Sequence, residues 1–152
     1  MTFAEHLDPK AVLLRPSAGD KWELLRRMVQ AMADCGCFPP ERVGEAQQAV
    51  EARERSMSTG MELGIAVPHA ALDGLEHLAA GLAILPEGID FGTLDGQPSH
   101  VVVLLLVPRK EKLIHIRTLA EVARRLSEAA FRKKILAAPD SETVVRLWGR
   151  DS

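Results

Sequence analysis

The sequence has little of three features that would narrow its function: an excess of one charge, cysteine, and a long apolar run. Its 152 residues carry 19 basic and 21 acidic side chains, which leaves a formal net charge of −2. A chain with this balance has no positive field to hold it on nucleic acid or on an anionic membrane. We therefore expect proteins or small molecules as partners, and no nucleic acid.

Cysteine is limited to Cys35 and Cys37, which are separated by a single glycine. This spacing is too short for an ordinary unstrained disulfide, so we expect a reducing compartment. A Cys-x-Cys pair can also be half of a metal site, but no second Cys or His pair at a suitable spacing completes it. We expect the pair to lie in a loop at the end of a helix, and we expect neither a metal nor another cofactor.

Long apolar runs are absent as well. The longest, Val101 to Val107, is far shorter than the roughly 20 residues of a membrane-spanning helix. The first residues, Met-Thr-Phe-Ala-Glu-His, lack the charged-then-apolar pattern of a signal peptide. We expect a cytoplasmic protein with no direct membrane insertion.

What the chain does have is the length and the 47% hydrophobic content of one compact domain, which we expect to cover residues 1–152. Apolar positions recur at helical spacing in residues 21–35, 41–55, 113–126, 129–137 and 141–148. In the third of these helices one apolar stripe contains Leu113, Ile116, Leu119, Ala120, Ala123 and Leu126. Short apolar runs at 64–67, 78–85 and 101–107 are typical of buried strands. The order predicts an α/β domain in which helices cover a sheet.

The most informative segment ends at His69. A polar loop that contains glycine leads into a short apolar strand that is predicted to stop at Pro68, so we expect His69 at a strand end. Pro68 fixes its own φ and favours extended geometry at Val67, which makes the backbone before His69 stiff. A neutral imidazole, with an ordinary pKa of about 6.5, can attack phosphorus near pH 7 and can pass the phosphoryl group on. The segment therefore favours phosphoryl transfer.

A transferring phosphoryl group also needs donors for the charge on its oxygens. Arg53 can hold two oxygens, Ser58 and Thr59 can donate hydroxyl hydrogens, and His115 can donate from a ring nitrogen at the start of a helix. Taken singly, each of these residues has an ordinary structural explanation, such as a solvated helix face or a turn. Their combination is what indicates a site.

Arg53, Ser58-Thr59-Gly60, Gly64-Ile-Ala-Val-Pro-His69 and His115-Ile-Arg-Thr-Leu-Ala together resemble the fructose/mannitol/nitrogen-regulatory enzyme IIA family of the phosphotransferase system. The resemblance implies a mixed β-sheet flanked by helices on both faces, a three-layer α/β/α arrangement. It also implies that His69 is phosphorylated on Nε2 by the phosphocarrier protein HPr or its nitrogen-branch counterpart. In the same way, it assigns an assisting role to His115 and makes Arg53 the active-site arginine.

Two functions within this family remain open. In a nitrogen-type regulatory IIA protein, phosphorylation changes the local charge and thereby alters which target protein docks. In a fructose- or mannitol-type component, the histidine passes the group to a IIB domain for sugar uptake. Because the chain has no attached IIB or membrane segment, we favour the regulator.

Two hypotheses that assign the protein to other functional classes also remain. A metal-dependent hydrolase would use His69, His115 and Asp73 as ligands. A non-catalytic binding module would keep the fold without transfer, and the departures from the family pattern at Met57 and Glu62 make this possible.

Overall fold

The computed structural model describes residues 3–150, except for the side chains of Lys112, Ile114 and Arg150. Two helices come first, strands follow, and three helices close the described part of the chain. The helices are α1 (Lys21–Asp34), α2 (Val43–Ser56), α3 (Lys112–Leu126), α4 (Ala129–Leu136) and α5 (Ser141–Arg150). The strands are β1 (Val12–Leu14), β2 (Gly60–Met61), β3 (Ile65–Ala66), β4 (His69–Leu72), β5 (Ala79–Ile89) and β6 (Ser99–Pro108). The ends of the expected domain, residues 1 and 152, lie outside the described residues.

The strands form one sheet in the order β1-β5-β6-β3-β2, and β4 also pairs with β6. β1 is parallel to β5, both β3 and β4 are parallel to β6, and β5 is antiparallel to β6. The expectation of a mixed sheet is therefore confirmed. β6 lies at the centre of the sheet. β5 pairs with one side of β6, and both β3 and β4 pair with its other side.

The junction between β3 and β4 positions His69. The sequence predicted that the strand would stop at Pro68, but the interruption is local, and His69 begins β4 opposite Leu105. Proline has no N–H to give to the ladder, yet its carbonyl still accepts from Leu105 N at 3.0 Å. Pairing resumes after Pro68 because Ala70 and Leu72 are buried against α1 and α2. His69 is thus held by a sheet on its C-terminal side as well as by the proline before it.

Both faces of the sheet are covered, as expected for a three-layer fold. Val102, Leu104 and Leu106 point to the side of α1 and α2. Their neighbours in β6, including Val103 and Leu105, point to the side of α3, α4 and α5. Alternation on one strand builds two cores because successive side chains of a strand face opposite ways. Each fully buried side chain of this kind contributes about 1.5–3 kcal/mol.

The predicted apolar stripe of α3 is wrong in its first turn. The side chains of Leu113 and Ile116 are 81% and 51% exposed, whereas His115, Val122 and Leu126 are buried. Among the side chains of α3 that the structure describes, His115 is therefore the first that is buried. Periodicity alone could not show this, because the exposed apolar residues have the same spacing as buried ones.

Cys35 and Cys37 lie at the end of α1, as the sequence predicted. Gly36 between them has φ +86°, a left-handed conformation that suits glycine at a helix C-terminus. The two sulfurs lie 3.5 Å apart as free thiols.

Among the helices of residues 3–150, none has the length and apolar content to cross a membrane.

Candidate functional site

A cavity of about 410 Å³ opens beside the start of β4. Its wall contains four of the five predicted site residues: Arg53, Ser58, Thr59 and His69. The end of α2, the loop after it, the start of β4 and one side of α3 meet there. The remaining lining residues are Gly60, Met61, Val67, Ile116, Leu119, Ala120 and Ala123.

The ring of His69 is half-buried, and a backbone contact orients it. Its Nδ1 lies 2.9 Å from the carbonyl oxygen of Val67. A carbonyl oxygen can only accept a hydrogen bond, so Nδ1 carries the proton. In the neutral ring, Nε2 is then the nitrogen with a free lone pair. The backbone around Pro68 therefore selects which nitrogen can attack.

Arg53, in the last turn of α2, has a guanidinium that is largely uncommitted. Its Nη1 donates one long hydrogen bond, 3.4 Å, to the carbonyl of Met57. No carboxylate lies within 4.0 Å of it among residues 3–150. A half-buried cation without an acidic partner, on the wall of a cavity, is suited to an anionic group.

The hydroxyls of Ser58 and Thr59 are already engaged within the protein. Ser58 Oγ donates to the carbonyl of Phe91 at 2.5 Å, and Thr59 Oγ1 donates to Glu54 Oε1 at 2.5 Å. A hydroxyl has only one proton to give. The predicted donation from these two residues to a phosphoryl group thus stays a prediction, and it requires these bonds to open.

His115 is not part of the cavity wall. It is 7% exposed, and its Nε2 lies 3.4 Å from Glu111 Oε2. Its Nδ1 is buried without a hydrogen-bond partner among the described residues. Ile116, the next residue, faces the cavity instead. Burial, and then the charge of the nearby His115, lower the pKa of His6.

The metal ligands proposed for a hydrolase do not come together. Asp73 Oδ1 accepts a hydrogen bond from Arg109 Nε at 2.7 Å. Within residues 3–150, no three His, Cys, Asp or Glu side chains form a cluster that can hold a metal ion. The arrangement of His69, His115 and Asp73 therefore does not support that reading.

Sequence reasoning missed Glu54, a charged residue that is only 2% exposed. Its carboxylate accepts hydrogen bonds from Lys21 and Thr59, beside the cavity. A signal was present, because Glu54 continues the four-residue spacing of Ala46 and Val50, the other buried residues of α2. A carboxylate on the buried face of a helix needs partners, and this requirement could have led to Lys21.

Exposed apolar side chains lie on the cavity wall and next to it in sequence. Met61 and Ile116 belong to its wall and are 41% and 51% exposed. Met57, whose carbonyl binds Arg53, is 67% exposed, and Leu113, one turn before Ile116, is 81% exposed. We call these four residues the apolar rim. Exposed apolar side chains grouped around a cavity are typical of a surface that docks another protein.

The chain is similar to known proteins over nearly its whole length. The sequence profile described as "Phosphoenolpyruvate-dependent sugar phosphotransferase system, EIIA 2" matches residues 5–148. A nitrogen regulatory protein of Bradyrhizobium diazoefficiens is 30% identical over 148 residues, which cover 95% of this chain and 92% of that protein. A fructose-specific EIIA component of Haloferax volcanii is 33% identical over 106 residues, 68% of this chain and 69% of its own length.

Among solved structures, the nitrogen regulatory protein IIA-Ntr of Neisseria meningitidis superposes with a TM-score of 0.85. The alignment covers 95% of this chain and 97% of that one, at 23% identity, a level that establishes the fold alone. Family membership therefore rests on the match over residues 5–148 and on the relative that is 30% identical. The chain belongs to the EIIA type 2 family of the phosphoenolpyruvate-dependent sugar phosphotransferase system, a family of phosphoryl carriers.

Proposed function

We propose that this protein accepts a phosphoryl group on Nε2 of His69 and acts as a regulatory IIA protein. The observation that carries the proposal is the 2.9 Å contact between Nδ1 of His69 and the carbonyl of Val67. It leaves the lone pair on Nε2, the nitrogen that family resemblance assigns to the chemistry. The ring is also partly accessible and lies on the wall of a cavity.

The transfer step follows from this hydrogen bond. The Nε2 lone pair forms a bond to phosphorus while the P–N bond of a phosphohistidine donor breaks, and the electron pair of that bond returns to the donor's ring. Nδ1 keeps its proton, so the ring of phosphorylated His69 becomes cationic. The carbonyl of Val67 then accepts a charge-assisted hydrogen bond, which is stronger than the neutral one. A cationic ring is also a good leaving group for onward transfer.

Arg53 is the proposed partner of the phosphoryl oxygens. Its guanidinium is uncommitted apart from the 3.4 Å bond to Met57. Removing one fixed donor to transition-state charge typically costs 10²–10³-fold in rate. We expect Arg53→Ala to lower the transfer rate by about this factor.

His115 has the proposed role of an assisting residue. Its ring is buried beside Glu111 and outside the cavity wall, so assistance requires the first turn of α3 to reorient. We expect His115→Ala to accept the phosphoryl group and to pass it on slowly. Onward transfer at the wild-type rate would remove the role.

The proposed phosphoryl donor is HPr or its nitrogen-branch counterpart. The apolar rim and Arg53 form a surface that suits a protein carrying a phosphoryl group on its own surface. Such donors act in the cytoplasm, where we place this protein. We further propose that residues 1–152 form a single EIIA domain and act with no cofactor.

Two fates of the group are possible within the family. The 30% identity to a nitrogen regulatory protein, over 92% of that relative, favours regulation of a target protein. The relative named as a fructose-specific EIIA component keeps transfer to a IIB domain as the second candidate. The chemistry at His69 is the same in both.

Phosphorylation with phosphoenolpyruvate, enzyme I and HPr tests the site. The wild type should gain an adduct that is labile in acid and stable in base, and His69→Ala should gain none. His77→Ala is the matched control, because His77 is an exposed histidine outside the cavity wall. Persistent labelling of His69→Ala would place the phosphoryl group elsewhere. A wild type that is folded but never labelled would favour the non-catalytic binding module.

A second assay separates the two fates. The phosphorylated protein is mixed with a fructose-type IIB domain, and the loss of label from His69 is followed over time. A regulator should keep its phosphoryl group in the presence of IIB. Rapid, complete transfer would instead favour the sugar-uptake role.

A further inference from the structure

Glu54 is a buried carboxylate with an unusual set of partners. Its Oε2 accepts from Lys21 Nζ at 3.0 Å. Its oxygens also accept from the backbone N of Thr59, at 3.0 and 3.3 Å, and from Thr59 Oγ1 at 2.5 Å. A buried charge is stable only when it is paired and hydrogen-bonded. Here one cation and two donors of a single residue meet that need.

The same cation reaches a second segment of the site. Lys21 Nζ also donates to the carbonyl of Phe91 at 3.1 Å. That carbonyl accepts from Ser58 Oγ at 2.5 Å, and Ser58 Oγ in turn accepts from the backbone N of Gly60 at 3.1 Å. The hydroxyls of Ser58 and Thr59 are therefore both anchored through acceptors that Lys21 holds.

The hydrogen bonds continue from Glu54 to the ring of His69. The carbonyl of Thr59 accepts from the backbone N of Val67 at 3.2 Å. The carbonyl of Val67 then contacts Nδ1 of His69 at 2.9 Å. Glu54 holds Thr59, Thr59 holds Val67, and Val67 orients the imidazole. A shift of Thr59 is transmitted to the ring because these hydrogen bonds form a continuous chain from Glu54 to Nδ1 of His69.

We infer that Glu54, neutralised by Lys21, is a positioning residue that sets the orientation and the tautomer of His69 through Thr59 and Val67. The inference deepens the proposed function and rests on it, since it concerns the histidine proposed to carry the phosphoryl group. Glu54 does not itself line the cavity, so its effect is indirect. In-line transfer is sensitive to such placement, because a misplacement of about 1 Å can cost about 10²-fold in rate.

A purely structural role is the competing explanation, since Lys21 and Glu54 also join α1 to α2. A second ion pair provides the control. Arg26 Nη1 and Glu51 Oε1 lie 2.8 Å apart and join the same two helices, but neither residue lines the cavity or bonds to the loop. Glu51→Gln therefore breaks a tie between α1 and α2 without touching Thr59.

The test compares Glu54→Gln with Glu51→Gln and the wild type. A glutamine keeps the shape of glutamate, but its NH₂ group is a donor that faces the donors of Lys21 and Thr59. We expect kcat for phosphorylation by phosphorylated HPr to fall about 10- to 100-fold in Glu54→Gln, with KM for the donor changed less than about threefold. Glu51→Gln should keep both constants.

Nitrogen-15 NMR of the His69 ring gives a readout that a structural role would not move. In the wild type the neutral ring should be protonated mainly on Nδ1. In folded Glu54→Gln this fraction should fall, because the carbonyl of Val67 is no longer held in place. Wild-type kcat, or reduced kcat with an unchanged tautomer, would overturn the inference.

Two further variants keep the inference testable if Glu54→Gln does not fold. Thr59→Val removes only the hydroxyl bond to Glu54 and should shift the tautomer in the same direction by a smaller amount, whereas Thr59→Ser should restore it. If the fraction of the His69 ring protonated on Nδ1 is the same in the wild type, Thr59→Val and Thr59→Ser, the inference is refuted. The NMR experiment uses unphosphorylated protein and therefore tests the positioning role independently of transfer. A wild type that accepts no phosphoryl group from phosphorylated HPr would refute the proposed function, but the NMR result would still decide the positioning role.

Discussion

Gly60, the first residue of β2, packs against the β5–β6 loop, and replacing it by alanine tests that packing. A Cβ at this position would lie 2.5 Å from Thr93 Cγ2, 3.1 Å from Phe91 Cβ and 3.3 Å from Ser58 Oγ. The first distance is far inside van der Waals contact, so Thr93 or the loop must move. The glycine is therefore required by close approach rather than by its φ.

The size of the effect follows from two opposing contributions. Overpacking of a well-packed site costs about 1–3 kcal/mol. Replacing glycine by alanine returns about 0.4–1 kcal/mol by restricting the unfolded chain. Taking the middle of each range, we expect Gly60→Ala to lower the free energy of unfolding by about 1–2 kcal/mol. With a urea m-value of about 2 kcal/mol/M, the unfolding midpoint should fall by about 0.5–1 M.

Thr93→Ser supplies the second half of a double-mutant cycle. It removes the clashing methyl group and keeps the hydroxyl, whose oxygen lies 2.8 Å from both Asp95 Oδ1 and the carbonyl oxygen of Gln97. In the Thr93→Ser background, Gly60→Ala should cost less than half of what it costs in the wild type, since the two residues are in contact. Urea unfolding followed by circular dichroism measures all four proteins. A wild-type midpoint for Gly60→Ala, or equal costs in both backgrounds, would refute the packing argument.

Three further predictions concern the core, the N-terminal segment and a thiol. Leu104→Ala, at a fully buried position of β6, should lower the free energy of unfolding by about 2–5 kcal/mol. Leu94→Ala, at a fully exposed loop position, should change it by less than about 0.5 kcal/mol, and urea unfolding compares the two. Burial, and then the charge of His115, lower the pKa of His6 below its ordinary 6.5, so the folded state binds fewer protons than the unfolded state. Stability should therefore rise with pH from the folded pKa up to 6.5 and level off above it; His6→Gln should reduce this slope, and an unchanged slope would contradict the assignment. Burial raises the pKa of the Cys37 thiol to about 12, so iodoacetamide at pH 8 should modify it slowly in the folded protein and rapidly in urea, as mass spectrometry can measure.

The sequence was sufficient for the classes of element and for the grouping of four candidate site residues. Helical spacing in residues 21–35 matched α1, and the short apolar runs at 78–85 and 101–107 matched the cores of β5 and β6. These predictions succeed because periodicity records which side of an element is buried. Arg53, Ser58, Thr59 and His69 could be grouped from their segments, and all four line one cavity.

The strand that begins at His69 escaped prediction because its pairing is non-local. Pro68 predicts a strand end when only the neighbouring residues are considered. No residue near it in sequence indicates that His69 pairs with Leu105 of β6. The prediction for the first turn of α3 was wrong for a related reason. The helical spacing was correct, but only packing against the sheet decides which side of the helix faces inward, and it buried His115 and exposed Leu113.

What the sequence determined by itself was the choice of candidate reactive groups and the stiffness of the backbone that presents them, because both depend on residue type and on near neighbours. Tertiary structure alone decided the engagement of the Ser58 hydroxyl, the pairing of Lys21 with Glu54 and the burial of Glu54. Each of these depends on a hydrogen-bond partner or a packed surface from a separate segment, such as Lys21 or Phe91. The distances between such groups exist only once the chain has folded.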